Sequence, residues 1–290
     1  MAEENILVEP VKCEPYLPES VVKGQYYEVK IENVYDISKF WIVVKFQELI
    51  IFMKYLKEFY SIITNRKVIP RNEFKTGLLC IVNRNNMYYR SIMLPVLLPD
   101  ENRIRVFNID FGLIINVCID EVFCIVKKHC SVPRFAIRAS LANISPADPS
   151  RTWSLSDLRS FYELMEGKRL LAKVHEIDTK RNILFVDIHV VYADIFESIS
   201  TILIQLGIAI YNQNYPASYT NEAENKTKYK SKVKYLHLFP SFEALESGRV
   251  PCSLWEYNLL KNSVPLDLLY KDYYQYQDVN LDINIVNGIN

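Results

Sequence analysis

The residue types that catalysis draws on are present in this chain but scattered. The four histidines fall at 129, 175, 189 and 237, with no HExxH pair and no cysteine at metal-ligand spacing. Cys124, His129 and Cys130 are near neighbours, but beside a strand end they read as structural residues. Glu176, Asp178, Arg181 and Asp187 are the types a calcium-dependent nuclease needs. Asp178 and Arg181 fall in a turn, however, where exposed charge is the ordinary explanation. The seven glycines match neither GxxxxGK[ST] nor GxGxxG, which removes a phosphate-cradling loop. The expectation is no catalytic residue, no metal and no cofactor.

Binding chemistry is better served. The chain carries 20 tyrosines, 14 phenylalanines and three tryptophans, material for aromatic recognition and for a strand-rich fold. Lys plus Arg equals Asp plus Glu at 34 each, so no global field draws in nucleic acid or an anionic membrane. A local exception is Lys226, Lys228, Lys230, Lys232 and Lys234, interleaved with Tyr229 and Tyr235. Cations between rings can hold a single strand by charge and stacking, whereas a lysine-rich linker is more commonly a solvated spacer. RNA is therefore the alternative partner. No apolar run approaches the ~20 residues of a membrane helix, so no membrane partner is expected. Six cysteines form no CxxC pair, and with no signal peptide they read as reduced thiols in a cytosolic or nuclear protein.

The elements that must position these groups are legible from periodicity. Residues 1–24, with Pro10, Pro15 and Pro18, read as an irregular lead-in. Tyr27 to Val34 and Phe40 to Phe46 read as two strands around a turn at Asp36 and Ser38. From Gln47 to Ile63 the period becomes helical: Leu49, Phe52, Met53, Leu56, Phe59, Tyr60 and Ile63 share one face. Short strands follow at Leu78–Val82, Met87–Leu94, Ile104–Ile109 and Ile114–Ile119, the spacing of a small barrel. Asn83 to Asn86 is the first tight turn. Beyond a strand from Ile137 to Ile144, Ser154 and Asp157 form a capping box that opens a second helix, stopped by Gly167. Strands Leu170–Ile177 and Ile183–Tyr192 come next, then a helix from Asp194 that carries Ile195, Ile199, Ile202 and Leu206. Residues 212–234 read as a polar linker, and 235–290 as a tail in which FPSFEAL and SLWEYNLL could fold back or pair with a second copy.

Four short motifs occur in order along this layout: Tyr88-Tyr89-Arg90-Ser91; Phe107 to Gly112 (FNIDFG); Pro133 with Ala136; and Pro146 followed by Trp153-Ser154. Together they resemble the extended Tudor domain. The resemblance implies a mixed α+β, mostly β fold, with a Tudor barrel at about 74–130. That barrel would be inserted, by way of a long helix, into a staphylococcal-nuclease-like (OB-type) half formed by about 25–63 and 131–211. Within the family, residues 36–45, the Asp-Phe variant of the barrel motif and the FPSF segment look most like the N-terminal Tudor of the Yb group, insect relatives of Tudor-domain-containing protein twelve.

Family members that read symmetric dimethylarginine use four aromatics and an Asn. A methylated guanidinium gains cation–π attraction of roughly 0.5–2 kcal/mol per well-placed ring, and the Asn orients it. Carried over position by position, Tyr89 and Phe111 supply two rings. Asn108 stands where another Tyr is expected, and Leu113 replaces the Asn; the fourth ring would lie near Asn83 or Arg84, neither aromatic, and Arg84 would repel a cation. On strands of a small barrel, Tyr89 and Phe111 fit a core as readily as a cage. The resemblance thus implies a non-enzymatic scaffold with a degenerate cage. Its partner would be an arginine-rich N-terminal peptide of a Piwi-type Argonaute, or another Tudor protein, in the piRNA pathway and in perinuclear germ granules. It also implies the front piece of a helicase-like parent, or a free-standing relative.

Overall fold

A computed structural model describes residues 6–7, 20–95, 102–148, 152–192, 195–212 and 240–248. The chain is mostly β with a few helices, organised as two β structures clasped across one apolar seam. The first contains β4 (Leu79–Arg84), β5 (Met87–Met93), β6 (Arg103–Asn108), β7 (Leu113–Cys118) and β8 (Val122–Val126) in the order β8-β4-β5-β6-β7. These strands roll around an interior of Cys80, Val82, Met93, Val106, Ile115, Val117 and Val122. The side-chain period of two sends Tyr88, Arg90 and Phe107 to the opposite face, toward the rest of the molecule. The lead-in read as irregular adds a strand here: β1 (Ile6–Leu7) pairs antiparallel with β8. Strand β8 itself was not expected; its run VFCIV is short, buried throughout and lacks alternation.

The second structure is assembled from two stretches of sequence. Strands β2 (Tyr26–Asp36) and β3 (Lys39–Val43) precede the first barrel, whereas β9 (Ala136–Leu141), β11 (Arg169–Asp178) and β12 (Ile183–Tyr192) follow it. Their order β11-β2-β3-β9-β12 closes on itself through β11–β12, with β9 and β12 parallel and every other pair antiparallel. Strand β13 (Ile195–Ser198) extends β12, while β10 (Ile144–Pro146) pairs with β14 (Ala209–Tyr211). Trp153 is buried here and donates from Nε1 to Ser38 Oγ at 2.6 Å, so both Trp41 and Trp153 are packing anchors.

Helix α1 (Phe46–Ser61) leads from the second structure into the first and buries Leu49, Phe52, Met53, Leu56 and Tyr60. Phe46 opens this helix rather than ending a strand, and Ile63 lies in an exposed 3-10 turn beyond it. Four-residue α2 (Lys127–Cys130) leads out of the barrel. Helix α3 (Leu155–Met165) begins at the expected capping box of Ser154 and Asp157. The last helix expected from Asp194 is shorter: Ile195 belongs to β13, and α4 (Ile199–Gln205) starts only after Ser198, whose Oγ accepts from Thr201 N–H. Residues 195–197 instead follow β12, the strand they pair with. Residues 213–234, expected as a linker, and most of 235–290 lie outside the described residues; within that tail, α5 (Phe242–Glu246) packs back onto the molecule.

The two structures meet around Arg90, which is fully buried. Its Nε and one terminal nitrogen donate to the two oxygens of Asp110 at 2.9 and 2.5 Å. Its remaining donors reach the carbonyls of His129, Val132 and Pro133 at 2.8, 2.5 and 2.9 Å. The guanidinium lies 4.7 Å from the centroid of Phe52 on α1. One side chain therefore fixes the barrel strand, the turn carrying Asp110, the exit from the barrel and the long helix. Removing it would strand a buried carboxylate, a change that costs about 3–5 kcal/mol. Arg90→Ala is expected to lower stability by that amount in urea titration, and Arg90→Lys to recover only part, because an ammonium cannot reproduce five directed donors.

Candidate functional site

One end of the first barrel opens into a cavity of about 310 Å3 lined by Arg84, Asn85, Tyr89, Asn108, Phe111, Leu113 and Ile115. Strand alternation explains why these residues meet. Tyr89 pairs with Val82, Ser91 with Asn108, and Asn108 with Leu113, so the inward positions of β4, β5, β6 and β7 converge at this mouth. Phe111 enters from the β6–β7 turn and sets its ring edge-to-face against Tyr89, with centroids 5.7 Å apart and planes at 74°. Asn108 lies buried at the base, where its Oδ1 accepts from the Asp110 backbone N–H at 3.1 Å. Leu113 and Ile115 complete an apolar wall.

All five residues carried over from the motifs, Arg84, Tyr89, Asn108, Phe111 and Leu113, are thus brought to one cavity. The β4–β5 turn is tighter than expected. Only Asn85 and Asn86 form it, both with positive φ, at 55° and 59°, as a two-residue hairpin turn demands. Asn83 and Arg84 are consequently strand residues, and alternation turns Arg84 into the mouth. Asn85 and Ile115 also line it and were missed: nothing in the motifs points to Asn85, whereas Ile115 was legible as the inward residue two beyond Leu113.

The position of Phe111 is set from outside the barrel. Gly112 follows it with φ at +70°, and its carbonyl accepts from Asn33 Nδ2 on β2 at 2.6 Å. A Cβ on Gly112 would come within 2.2 Å of Trp41 Cγ on β3. The cavity wall is therefore seated directly on the second barrel.

Of the residues considered for catalysis, Asp178 and Arg181 meet as an ion pair at 3.2 Å within their own turn. Among the described residues, no group of three or more His, Cys, Asp or Glu could hold a metal. His129 is buried, with Nδ1 2.9 Å from the Tyr60 hydroxyl. Burial pushes the Cys80 thiol far above its ordinary range, the opposite of nucleophile activation. Asp178 bonds its own turn through the N–H groups of Lys180 and Arg181, and Asp187 accepts from Ser198. No described helix is long and apolar enough to cross a membrane. The lysine-rich tract from Lys226 to Lys234 lies outside the described residues.

This geometry has relatives. Residues 21–143 match the Tudor domain family. Tudor domain-containing protein 6 from Homo sapiens is 26% identical over 191 residues, which cover 65% of this chain and 9% of that protein. The mouse protein of the same name is also 26% identical, over 193 residues. The chain thus spans about a tenth of the length of these curated relatives. Among solved structures, the third extended Tudor domain of mouse TDRD1, in complex with a MILI peptide containing dimethylarginine, superposes with a TM-score of 0.58. It is 18% identical and covers 68% of this chain and 98% of its own. The human TDRD1 extended Tudor domain, in complex with a symmetrically dimethylated peptide, gives 0.60 at 18% identity, covering 72% and 100%. The Drosophila melanogaster Papi extended Tudor domain with a Piwi N-terminal peptide gives 0.52 at 18% identity, covering 64% and 99%. The first barrel and its flanking β structure thus share the fold of solved extended Tudor domains.

Gly112→Ala is expected to destabilise the domain by about 1–3 kcal/mol through overpacking against Trp41, beyond the cost of its positive φ. A urea midpoint equal to that of the parent would contradict the seating of Phe111 on the second barrel.

Proposed function

We propose that the barrel mouth binds an arginine-containing peptide without requiring its methylation, and that the chain is a non-catalytic scaffold. The observation that carries this is the edge-to-face pair of Tyr89 and Phe111 over an apolar wall, open at one end and rimmed by Arg84. Two rings supply part of the attraction for a guanidinium. Additional methyl groups would gain little, because no third or fourth ring among the described residues lines the cavity to enclose them. Arg84 opposes a second cation at the same place, by a few tenths to about 1 kcal/mol at an exposed position. The complexes of TDRD1 and Papi with methylarginine peptides support peptide binding as the class of function, and the two-ring mouth argues for a shift in its specificity.

The narrower reading follows from the motifs. We place the chain nearest the Yb group, with a Piwi-type Argonaute N-terminal peptide or another Tudor protein as partner. The setting would be the germline piRNA pathway and perinuclear cytoplasmic granules, with a helicase-like region in the parent protein. The closed second barrel, in this reading, is the staphylococcal-nuclease-like half.

The test is calorimetric titration with an unmodified arginine-rich Argonaute N-terminal peptide. Tyr89→Ala is expected to weaken binding about 2- to 30-fold, the equivalent of one ring, in a variant whose circular dichroism matches the parent. Unaltered affinity in Tyr89→Ala would remove the barrel mouth from peptide binding.

A further inference from the structure

A second site lies outside the barrel mouth, in the cleft between β6 of the Tudor barrel and strands β3 and β9 of the second. It is built from arginines and rings. Arg138 on β9 is buried, and one terminal nitrogen donates to the Arg181 carbonyl at 2.7 Å. Arg134 is buried close by, and its Nε finds no hydrogen-bond partner among the described residues. Arg105 on β6 faces the cleft from the other side, and Trp41 and Phe107 line its floor with centroids 6.4 Å apart.

The sequence Ser241-Phe-Glu-Ala-Leu-Glu-Ser-Gly248 sits in this cleft. Phe242 is fully buried, edge-on to Trp41 at 5.2 Å and 88°. Glu246 accepts from Arg138 Nε at 2.9 Å, from an Arg138 terminal nitrogen at 2.8 Å and from Trp41 Nε1 at 3.1 Å. Glu243 accepts from the other terminal nitrogen of Arg138, and the Gly248 carbonyl accepts from Arg105 at 3.2 Å. Burial pushes the Glu246 carboxyl up, but Arg138, with help from Arg134 and Trp41, outweighs burial and holds it below the usual carboxylate range.

The occupant is a poor structure on its own. Helix α5 has five residues, with Ser241 as N-cap and Gly248 just beyond its end at φ +67°. Isolated helices need about 12–15 residues to be even marginal in water, so the order of α5 comes from the cleft. Phe242, Glu243, Glu246 and the Gly248 carbonyl thus engage a charged and aromatic cleft as a bound peptide ligand would. Residues 213–239 join it to the rest of the domain, so its docking is intramolecular.

We propose that this cleft is a docking site for an aromatic–acidic helical motif of the form Phe-Glu-x-x-Glu, filled in cis by residues 241–248 and open to the same motif on a partner protein when α5 leaves. This does not depend on how the barrel mouth is read, since none of the mouth-lining residues contributes to it. Phe242 supplies the apolar anchor, and the two glutamates supply the charge that Arg138 and its neighbours require.

The test uses the full chain and a fluorescein-labelled peptide with the sequence of residues 238–250, read by fluorescence anisotropy. A Phe242→Ala, Glu243→Gln, Glu246→Gln variant empties the cleft of its cis ligand. It is expected to bind the peptide at least tenfold more tightly than the parent chain does, and the same peptide carrying Phe242→Ala should not bind. Equal binding to parent and variant would overturn the proposal, as would a variant with parental circular dichroism that ignores the peptide. Preference of the variant for a single-stranded oligonucleotide over the peptide would also overturn it. A measurement on the unaltered chain stands apart from the folding of the variant. In hydrogen exchange, the amides of Leu245 and Gly248 should exchange at least 100-fold faster than those of β9 and β12, because α5 opens by itself. Equal protection would mean that α5 is a fixed part of the core rather than a displaceable ligand.

Discussion

The buried Arg90–Asp110 pair joins the two β structures that carry the functional groups of this domain. A fully desolvated guanidinium is tolerated only if its charge and all of its donors are answered. The answers come from the β6–β7 turn, from three carbonyls in the barrel exit and from the ring of Phe52 on α1. Asp110 also accepts from the Phe135 backbone N–H at 3.2 Å, which fixes the approach to β9. The pair is thus a joint between two β structures as well as a contact within one.

Its position next to Phe111 and Gly112 has a consequence for recognition. A ring that contributes cation–π attraction must be held in place, or the entropy of ordering it offsets the gain. Phe111 is flanked by the buried Asp110 on one side and by Gly112, pressed against Trp41 and held by Asn33, on the other. The second barrel therefore acts on the mouth of the first without reaching into it. Trp41 is also the floor on which Phe242 rests, so the mouth and the arginine-lined cleft share one rigid wall while exposing separate surfaces.

Much of this was legible in the sequence, for identifiable reasons. The amphipathic period of α1, the capping box at Ser154 and the paired strands of Leu170 to Tyr192 are local signals, and the structure keeps them. The ordered motifs named Arg84, Tyr89, Asn108, Phe111 and Leu113, and these line one cavity because strand alternation is local too, although the turn before β5 is shorter than the motifs suggested. What failed was non-local. Strand β8 is buried on both faces and carries no alternation, and β1 is a strand through its pairing with β8. The β-branched start of the expected fourth helix is a strand because β12 is there to pair with it. The arginine-lined cleft left no signature, since Arg105, the Arg134 and Arg138 pair, and Glu246 are far apart in sequence and are ordinary surface types until the chain folds.

The central claim is that two rings and an arginine make a mouth for arginine that is nearly indifferent to methylation. The most direct measurement is a paired calorimetric titration of the domain with one arginine-rich peptide in unmodified and symmetrically dimethylated forms. Dissociation constants within about threefold of each other are expected, since less than ~0.7 kcal/mol separates the two ligands at a cage with two rings. A preference of tenfold or more for the dimethylated peptide would contradict that expectation, and would mean that Tyr89, Phe111 and Asn108 suffice for a working methylarginine cage.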